Sequence, residues 1–281
     1  MAELHALLTG LAMGESPRWH NGRLWLADWG TSEILVVDGG GARTHIASAP
    51  SVPCSIDWLP NGEMLVVSGG DGRLLRSGPD GALRPYADLH SLAPHPWNEL
   101  VVDGRGNVYV NTIGFDFPEG AFAPGLIALV TPDGAVRHVA DNVAFPNGMA
   151  VTPDNATLIV AESYGNRLSA FDIAPDGGLA NRRVWADLPG AYPDGICLDA
   201  EGAVWYADVP NKRCVRVREG GAVLETIDVG LGCFACMLGG EAGTTLLIVA
   251  AAWGGEDGMA DGQRTGAVFR VDVRAPRAGW P

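Results

Sequence analysis

Nowhere does the chain carry a run of ~18 uninterrupted apolar residues, so no helical membrane span is expected. Basic residues are scarce as well. Nineteen Lys and Arg stand against 33 Asp and Glu, giving a net charge of −14 with no basic cluster. Such a surface repels a phosphate backbone, which argues against nucleic acid as a partner. No stretch joins a cap to 3.6-residue apolar periodicity, so long helices are not expected. No Gly-x-Ser-x-Gly elbow is present, which leaves a serine hydrolase without its motif. Cysteine is limited to Cys54, Cys197, Cys214, Cys233 and Cys236. The number is odd, and Cys233-x-x-Cys236 lacks a second pair to complete a zinc site. CFAC lies in an apolar run, where cysteine reads as a small buried hydrophobe, and reduced thiols in a cytoplasmic protein are expected.

What the chain has is apolar bulk and punctuation. Hydrophobic residues make up 47% and charged residues only 19%, enough for a large core. The 39 glycines and 19 prolines fall at regular intervals, as turns do. A repeat follows from them. Short turns lead into very apolar strands at HNG-RLWLAD (20–28), PNG-EMLVVS (60–68), GRG-NVYVNT (104–112), DNA-TLIVAE (154–162), AEG-AVWYAD (200–208) and EAG-TTLLIVAA (241–251). A second hairpin signal, such as RLLR-SGPDGA or LIALV-TPDGA, follows in each of the first five units. Six units of this length, each with four antiparallel strands, predict an all-β, six-bladed β-propeller. The prediction treats residues 1–281 as one domain. The opening MAELHALLTGLAMG has an acid where a signal peptide carries its basic residues, and it runs directly into the first repeat. We read it as a strand near Leu4–Leu8 that closes the ring beside GAVFRVDV in the last blade.

In such a ring the tiny A–B turns lie on one face and the B–C connections on the other. Two B–C connections are long, Thr112–Gly125 and Trp253–Thr265, so the second face is the expected functional one. Aligning back from the turns gives one axis-facing position per blade: Glu15, Cys54, Asn98, Asn147, Asp194 and Phe234. Four offer oxygen. Two carboxylates and two amides suit a hard divalent cation, and without a cation the carboxylates would repel each other. Asn147-Gly148 and Asp194-Gly195 also read as ordinary hairpin turns. Yet both are preceded by proline and followed by a strand, in the repeated pattern P-[ND]-G-x-x-[VL].

GESPRW (14–19), PNGMAVTPD (146–154) and YPDGICLDAEGAVWYAD (192–208) resemble the regucalcin–gluconolactonase family of six-bladed propellers, over essentially the whole chain. The resemblance implies a divalent metal on Glu15, Asn147 and Asp194, and Asn98 as a substrate contact or a further ligand. It ranks calcium ahead of magnesium, manganese, zinc or iron, and it assigns Asp194 as catalytic base. A small-molecule lactone or ester is the implied substrate. A phosphotriesterase-type hydrolase, a non-catalytic calcium-binding propeller and a protein-interaction propeller remain alternatives. One departure is visible. Sugar-lactonase members commonly carry arginine where Pro96 stands in HPWNE, so the sugar grip looks lost. Trp97 and His95 then suggest a more apolar or aromatic substrate. Phe115, with Phe117, Phe122 and Trp253, is expected either to form a lid or to pack its loop.

Overall fold

The computed structural model describes residues 3–255 and 264–279. These contain 24 β-strands in six four-stranded antiparallel sheets, with no helix among the described residues. No helix long and apolar enough to cross a membrane is therefore present among them. The innermost strands are Gly14–His20, Ile56–Trp58, Trp97–Val102, Pro146–Val151, Pro193–Leu198 and Gly232–Gly239. Each packs against the innermost strand of the next sheet, and the last packs against the first, so the sheets form a closed ring of blades.

The strands form where the apolar repeats lie. RLWLAD, MLVVS, VYVNT, TLIVAE, VWYAD and TLLIVAA are the second strands of their blades, buried because neighbouring blades cover both faces. The fourth strands, such as Arg43–Ser48 and Val223–Asp228, are largely exposed and polar, as the rim of the disc requires. The sixth blade takes its outer strand from the other end of the chain. His5–Leu11 pairs with Gly266–Asp272, with His5 opposite Arg270 and Leu11 opposite Gly266. Beyond that blade the chain returns beneath the fifth, where Arg277 bridges to Asp199 and the Ala278 amide donates to Leu198 O. All five cysteines are free and buried, four of them in the apolar seam between the fifth and sixth blades.

Close packing around the axis explains the glycines of the P-[ND]-G pattern. A Cβ on Gly148 would lie 2.6 Å from Ile196 N and 2.7 Å from Asp194 O. On Gly195 it would lie 2.5 Å from Ala235 Cβ. Neither glycine has a positive φ, so both serve interstrand approach and not a hairpin turn. This tightness makes a simple prediction. Gly195→Ala overpacks the axis and should cost about 1–3 kcal/mol of stability. Gly39→Ala, which meets open space, should stay within roughly 0.5 kcal/mol of wild type. Urea unfolding of both variants measures the difference; equal midpoints would mean that the axis yields more readily than its geometry indicates.

Candidate metal centre and substrate cavity

A β-bulge lies where each innermost strand opens onto the axis, in five of the six blades. Regular pairing breaks between Glu15 and Arg18, Trp97 and Leu100, Pro146 and Met149, Pro193 and Ile196, and Cys233 and Ala235. Bulges re-aim side chains. Here they fall on Glu15, Asn98, Asn147, Asp194 and Phe234, and all five line one cavity of about 300 Å³. Backbone strain accompanies two of them: Ser16, after Glu15, has φ +49°, and Phe145, two residues before Asn147, has φ +56°. Positive φ at a bulky residue is uncommon and persists only where the surroundings enforce it.

The enforcement comes from the end of each second strand. In the first blade Asp28, closing LWLAD, accepts the amides of Ala12 at 3.0 Å and Met13 at 2.7 Å, just before Glu15. Glu162, closing TLIVAE, accepts the Ala144 amide at 2.8 Å, ahead of Asn147. Asp208, closing VWYAD, accepts the Tyr192 amide at 3.1 Å, ahead of Asp194. In the third blade the Thr112 hydroxyl donates to Pro96 O at 2.8 Å, ahead of Asn98. Each buried anchor thus pins the segment that delivers its own blade's axial residue. Burial opposes charge on Glu162, but hydrogen bonds from Arg167, Ser169, Ala144 N and Arg182 outweigh it and hold the carboxyl down at about 2.

A second set of bonds ties blade to blade. Ser16 Oγ accepts Ile56 N at 3.0 Å, Ser55 donates to Asn98 O at 2.9 Å, and Asn111 donates to Asn147 O at 2.7 Å. Ser163 donates to Pro193 O at 2.8 Å. The four oxygen-bearing residues are therefore held by their neighbours as well as by their own strands.

Electrostatics make this centre unusual. Glu15, Asn98 and Asp194 are 7%, 8% and 9% exposed. Burial, and then the negative charge of Glu99, push Glu15 up to about 8 despite help from the Ser16 amide and Arg18. Asp194 is raised well above the ordinary carboxylate range, first by burial and then by Glu15 and Glu99. Arg18 lies beneath, 3.2 Å from Glu99 Oε1 and 2.8 Å from Leu100 O. That guanidinium is paired with Glu99, and its charge also reaches Glu15 and Asp57. Among the described residues no hydrogen bond engages the side-chain amides of Asn98 or Asn147, and no three His, Cys, Asp or Glu side chains converge on one point. The donor set is two carboxylates and two amides, deficient in positive charge. It fits a hard dication far better than a soft one.

Other expectations fare differently. Cys54 is fully buried and does not line the cavity; its carbonyl accepts the Trp29 indole N–H at 2.6 Å, and burial first, with Glu15 next, pushes its thiol up to about 12. Trp97, expected against substrate, is wholly buried among Leu65, Leu74, Leu100 and Val110, with its indole N–H unpaired. Successive strand residues point to opposite faces, so Asn98 turns to the cavity and Trp97 away from it. That expectation is corrected. His95 is held 3.1 Å from Asp116 and lies outside the cavity lining, while His90 is exposed beside Asp88. Phe115, Phe117 and Trp253 do line the cavity; Phe122 packs on Phe115 but does not. Of the second long connection, Trp253–Thr265, residues 256–263 lie outside the described residues. The sequence reading did not reach Trp29, Phe145, Tyr164 and Tyr192 in the wall, nor Arg18 and Glu99 below it. The acids and hydroxyls ending the second strands were a visible signal, since LWLAD, VYVNT, LIVAE and VWYAD all end in an oxygen donor.

Comparison with known proteins agrees with this architecture. Residues 13–252 match the model of the SMP-30/gluconolactonase/LRE-like region. A pentonolactonase of Haloferax volcanii is 26% identical, covering 95% of this chain and 93% of the relative. An L-arabinolactonase of Azospirillum brasilense is 30% identical over 69% of this chain and 65% of its own length. Among solved structures, a calcium-binding regucalcin from Agrobacterium tumefaciens superposes with a TM-score of 0.83 at 21% identity, covering 100% of this chain and 97% of its own. A luciferin-regenerating enzyme does so at 0.83 and 18%, covering 99% of each chain. The family model spans five blades and the two inner strands of the sixth, and it contains every oxygen donor of the centre; the chain belongs to the SMP-30/gluconolactonase/LRE-like family.

Proposed function

We propose that this chain hydrolyses a lactone or related carboxylic ester of small size, with one divalent cation held by Glu15, Asn147 and Asp194. The observation that carries the reading is the pair of buried, mutually repelling carboxylates beside two unengaged amides at the base of an apolar cavity. Lactone-hydrolysing relatives at 26% and 30% identity support the same chemistry. A bound dication supplies Lewis acidity that polarises the acyl carbonyl. Calcium, magnesium and manganese suit this oxygen set better than zinc or iron.

The residues divide the remaining work. Asn98 offers an amide to orient the acyl group. Asp194 takes a proton from water as the water oxygen bonds to the acyl carbon. When the ring C–O bond breaks, that proton passes to the departing oxygen, and a hydroxy acid leaves. The aromatic wall keeps bulk water away and so strengthens every charge interaction inside.

Three outcomes are expected. Metal-stripped protein should lose lactone turnover and regain it when a hard cation is returned, with one ion per chain by elemental analysis. One bound ion and no turnover across lactones and esters would favour the non-catalytic calcium-binding alternative. Asp194→Asn should lower kcat by about 10²–10⁴-fold, the usual worth of a general base. Glu15→Gln should weaken metal binding before it affects folding. If both variants stay fully active, other residues do the chemistry. The third outcome concerns pH. In the metal-free chain Glu15 sits at about 8 against an ordinary 4.5. Between these values the folded chain keeps a proton that the unfolded chain has released, so stability falls as pH rises from about 5 to about 8. Urea midpoints of stripped protein should fall across that window, and Glu15→Gln should flatten the decline. A rising midpoint would contradict the assignment.

A further inference from the structure

The cavity above the oxygen donors is lined mainly by apolar side chains, and several of its few polar groups are already engaged. Trp29 spends its indole N–H on Cys54 O at 2.6 Å. The Ser163 hydroxyl is committed to Pro193 O at 2.8 Å, and Asp116 to His95 at 3.1 Å. Eight aromatic side chains line the space, including four of the chain's seven phenylalanines. On one side Phe115, Phe117, Phe145 and Tyr164 form a continuous cluster. Phe145 lies 4.7 Å from Tyr164 and 5.2 Å from Phe117 between ring centroids, and Phe115 contacts all three. Across the cavity Phe234 and Trp253 meet edge to face at 6.0 Å.

We propose that the substrate is a one- or two-ring lactone or ester bearing an aryl or alkyl group that lies against the Phe115–Phe145–Tyr164 wall, and not a polyhydroxylated sugar lactone. The proposal rests on the hydrolase reading above and narrows it. A sugar lactone brings several hydroxyl groups into this space. With Glu15, Asn147 and Asp194 assigned to the metal, the Asn98 amide is the polar group remaining at the floor, and the wall adds only the second Asp116 oxygen and the phenol and indole groups of Tyr164, Tyr192 and Trp253, set in an otherwise apolar lining. Each hydroxyl buried without a partner costs about 10-fold or more in binding. An aryl group meets ring edges and faces at the spacing that aromatic pairs favour. The volume of about 300 Å³ sits at the small end of ligand pockets, roughly 300–1,000 Å³, which limits the substrate to one or two rings. The apolar character does not come from Trp97 or His95; it comes from loops that precede the innermost strands and follow the second strands.

The test uses full-length protein reconstituted with calcium, magnesium or manganese. Dihydrocoumarin and γ-phenyl-γ-butyrolactone are compared with glucono-δ-lactone and arabinono-γ-lactone by kcat/KM. The aryl lactones should be favoured by about 100-fold or more, the consequence of two unpartnered hydroxyls. Phe117→Ala, checked for folding by circular dichroism, should narrow that ratio by about 10-fold, mainly through KM. Sugar lactones turned over equally well or better would overturn the proposal while leaving the hydrolase reading intact. Should no lactone be hydrolysed, the hydrolase reading fails by itself, and calorimetric binding of two unreactive lactams decides the cavity's preference. Binding of 3,4-dihydroquinolin-2-one but not of gluconolactam supports an apolar ligand. The reverse preference, or binding of neither, overturns it.

Discussion

Burial of Glu15 and Asp194 at the axis, with Glu99 close by, is the constraint around which this ring is organised. Two carboxylates brought out of water toward one axis destabilise each other unless a proton or a cation intervenes. Both are displaced toward the protonated state, and the single buried arginine nearby is already engaged with Glu99. The fold holds them together by means independent of their own attraction. Bulges aim them, buried acids at the ends of second strands pin the segments that carry them, and serine and asparagine side chains lace successive blades. Removing these supports would let the acids part and hydrate. Their presence indicates that the ring is built to hold these acids at the axis, the charge that the proposed cation would neutralise.

The floor and the wall of the cavity obey opposite rules. Below, each polar atom is either fixed in the lattice of anchors or left open toward the axis. Above, the surface is mainly aromatic, and the Trp29 indole and Ser163 hydroxyl are spent on the backbone. This separation lets a reacting carbonyl meet charge while the rest of the ligand meets hydrocarbon. It also follows from topology. The floor belongs to the innermost strands, where interblade packing enforces precision, whereas the wall belongs to connections that are free to vary in length and composition.

Much of this was legible in the sequence, for reasons that particular residues make clear. The six turns before RLWLAD and its counterparts announce hairpins because Asn, Asp and Gly tolerate the positive φ that tight turns need, as at Asn21 and Gly22. The column from Glu15 to Phe234 emerges once those hairpins are aligned, because repeated units place equivalent residues at equivalent radii. Trp97 was misjudged beside Asn98: its ring is drawn into the apolar core among Leu65, Leu74 and Leu100, while the neighbouring Asn98 lines the cavity. Glu99 and Arg18 escaped notice because their pairing joins residues 81 positions apart. Phe145 and Tyr164 escaped for a related reason. They flank the innermost and second strands of the fourth blade, and only the curvature of the ring brings them to Phe115 of the third.

The outer strand of the last blade, His5–Leu11, is made near one end of the chain, and its partner, Gly266–Asp272, near the other. During vectorial synthesis the early strand therefore emerges with no mate and waits while the intervening blades assemble. An unpaired strand presents a row of open amides and carbonyls, an invitation to pair with a stranger. Once paired, this strand is half exposed and its ladder shifts register at Ala6–Leu8 and Thr9–Leu11, so the clasp that closes the ring is built from short stretches of regular pairing.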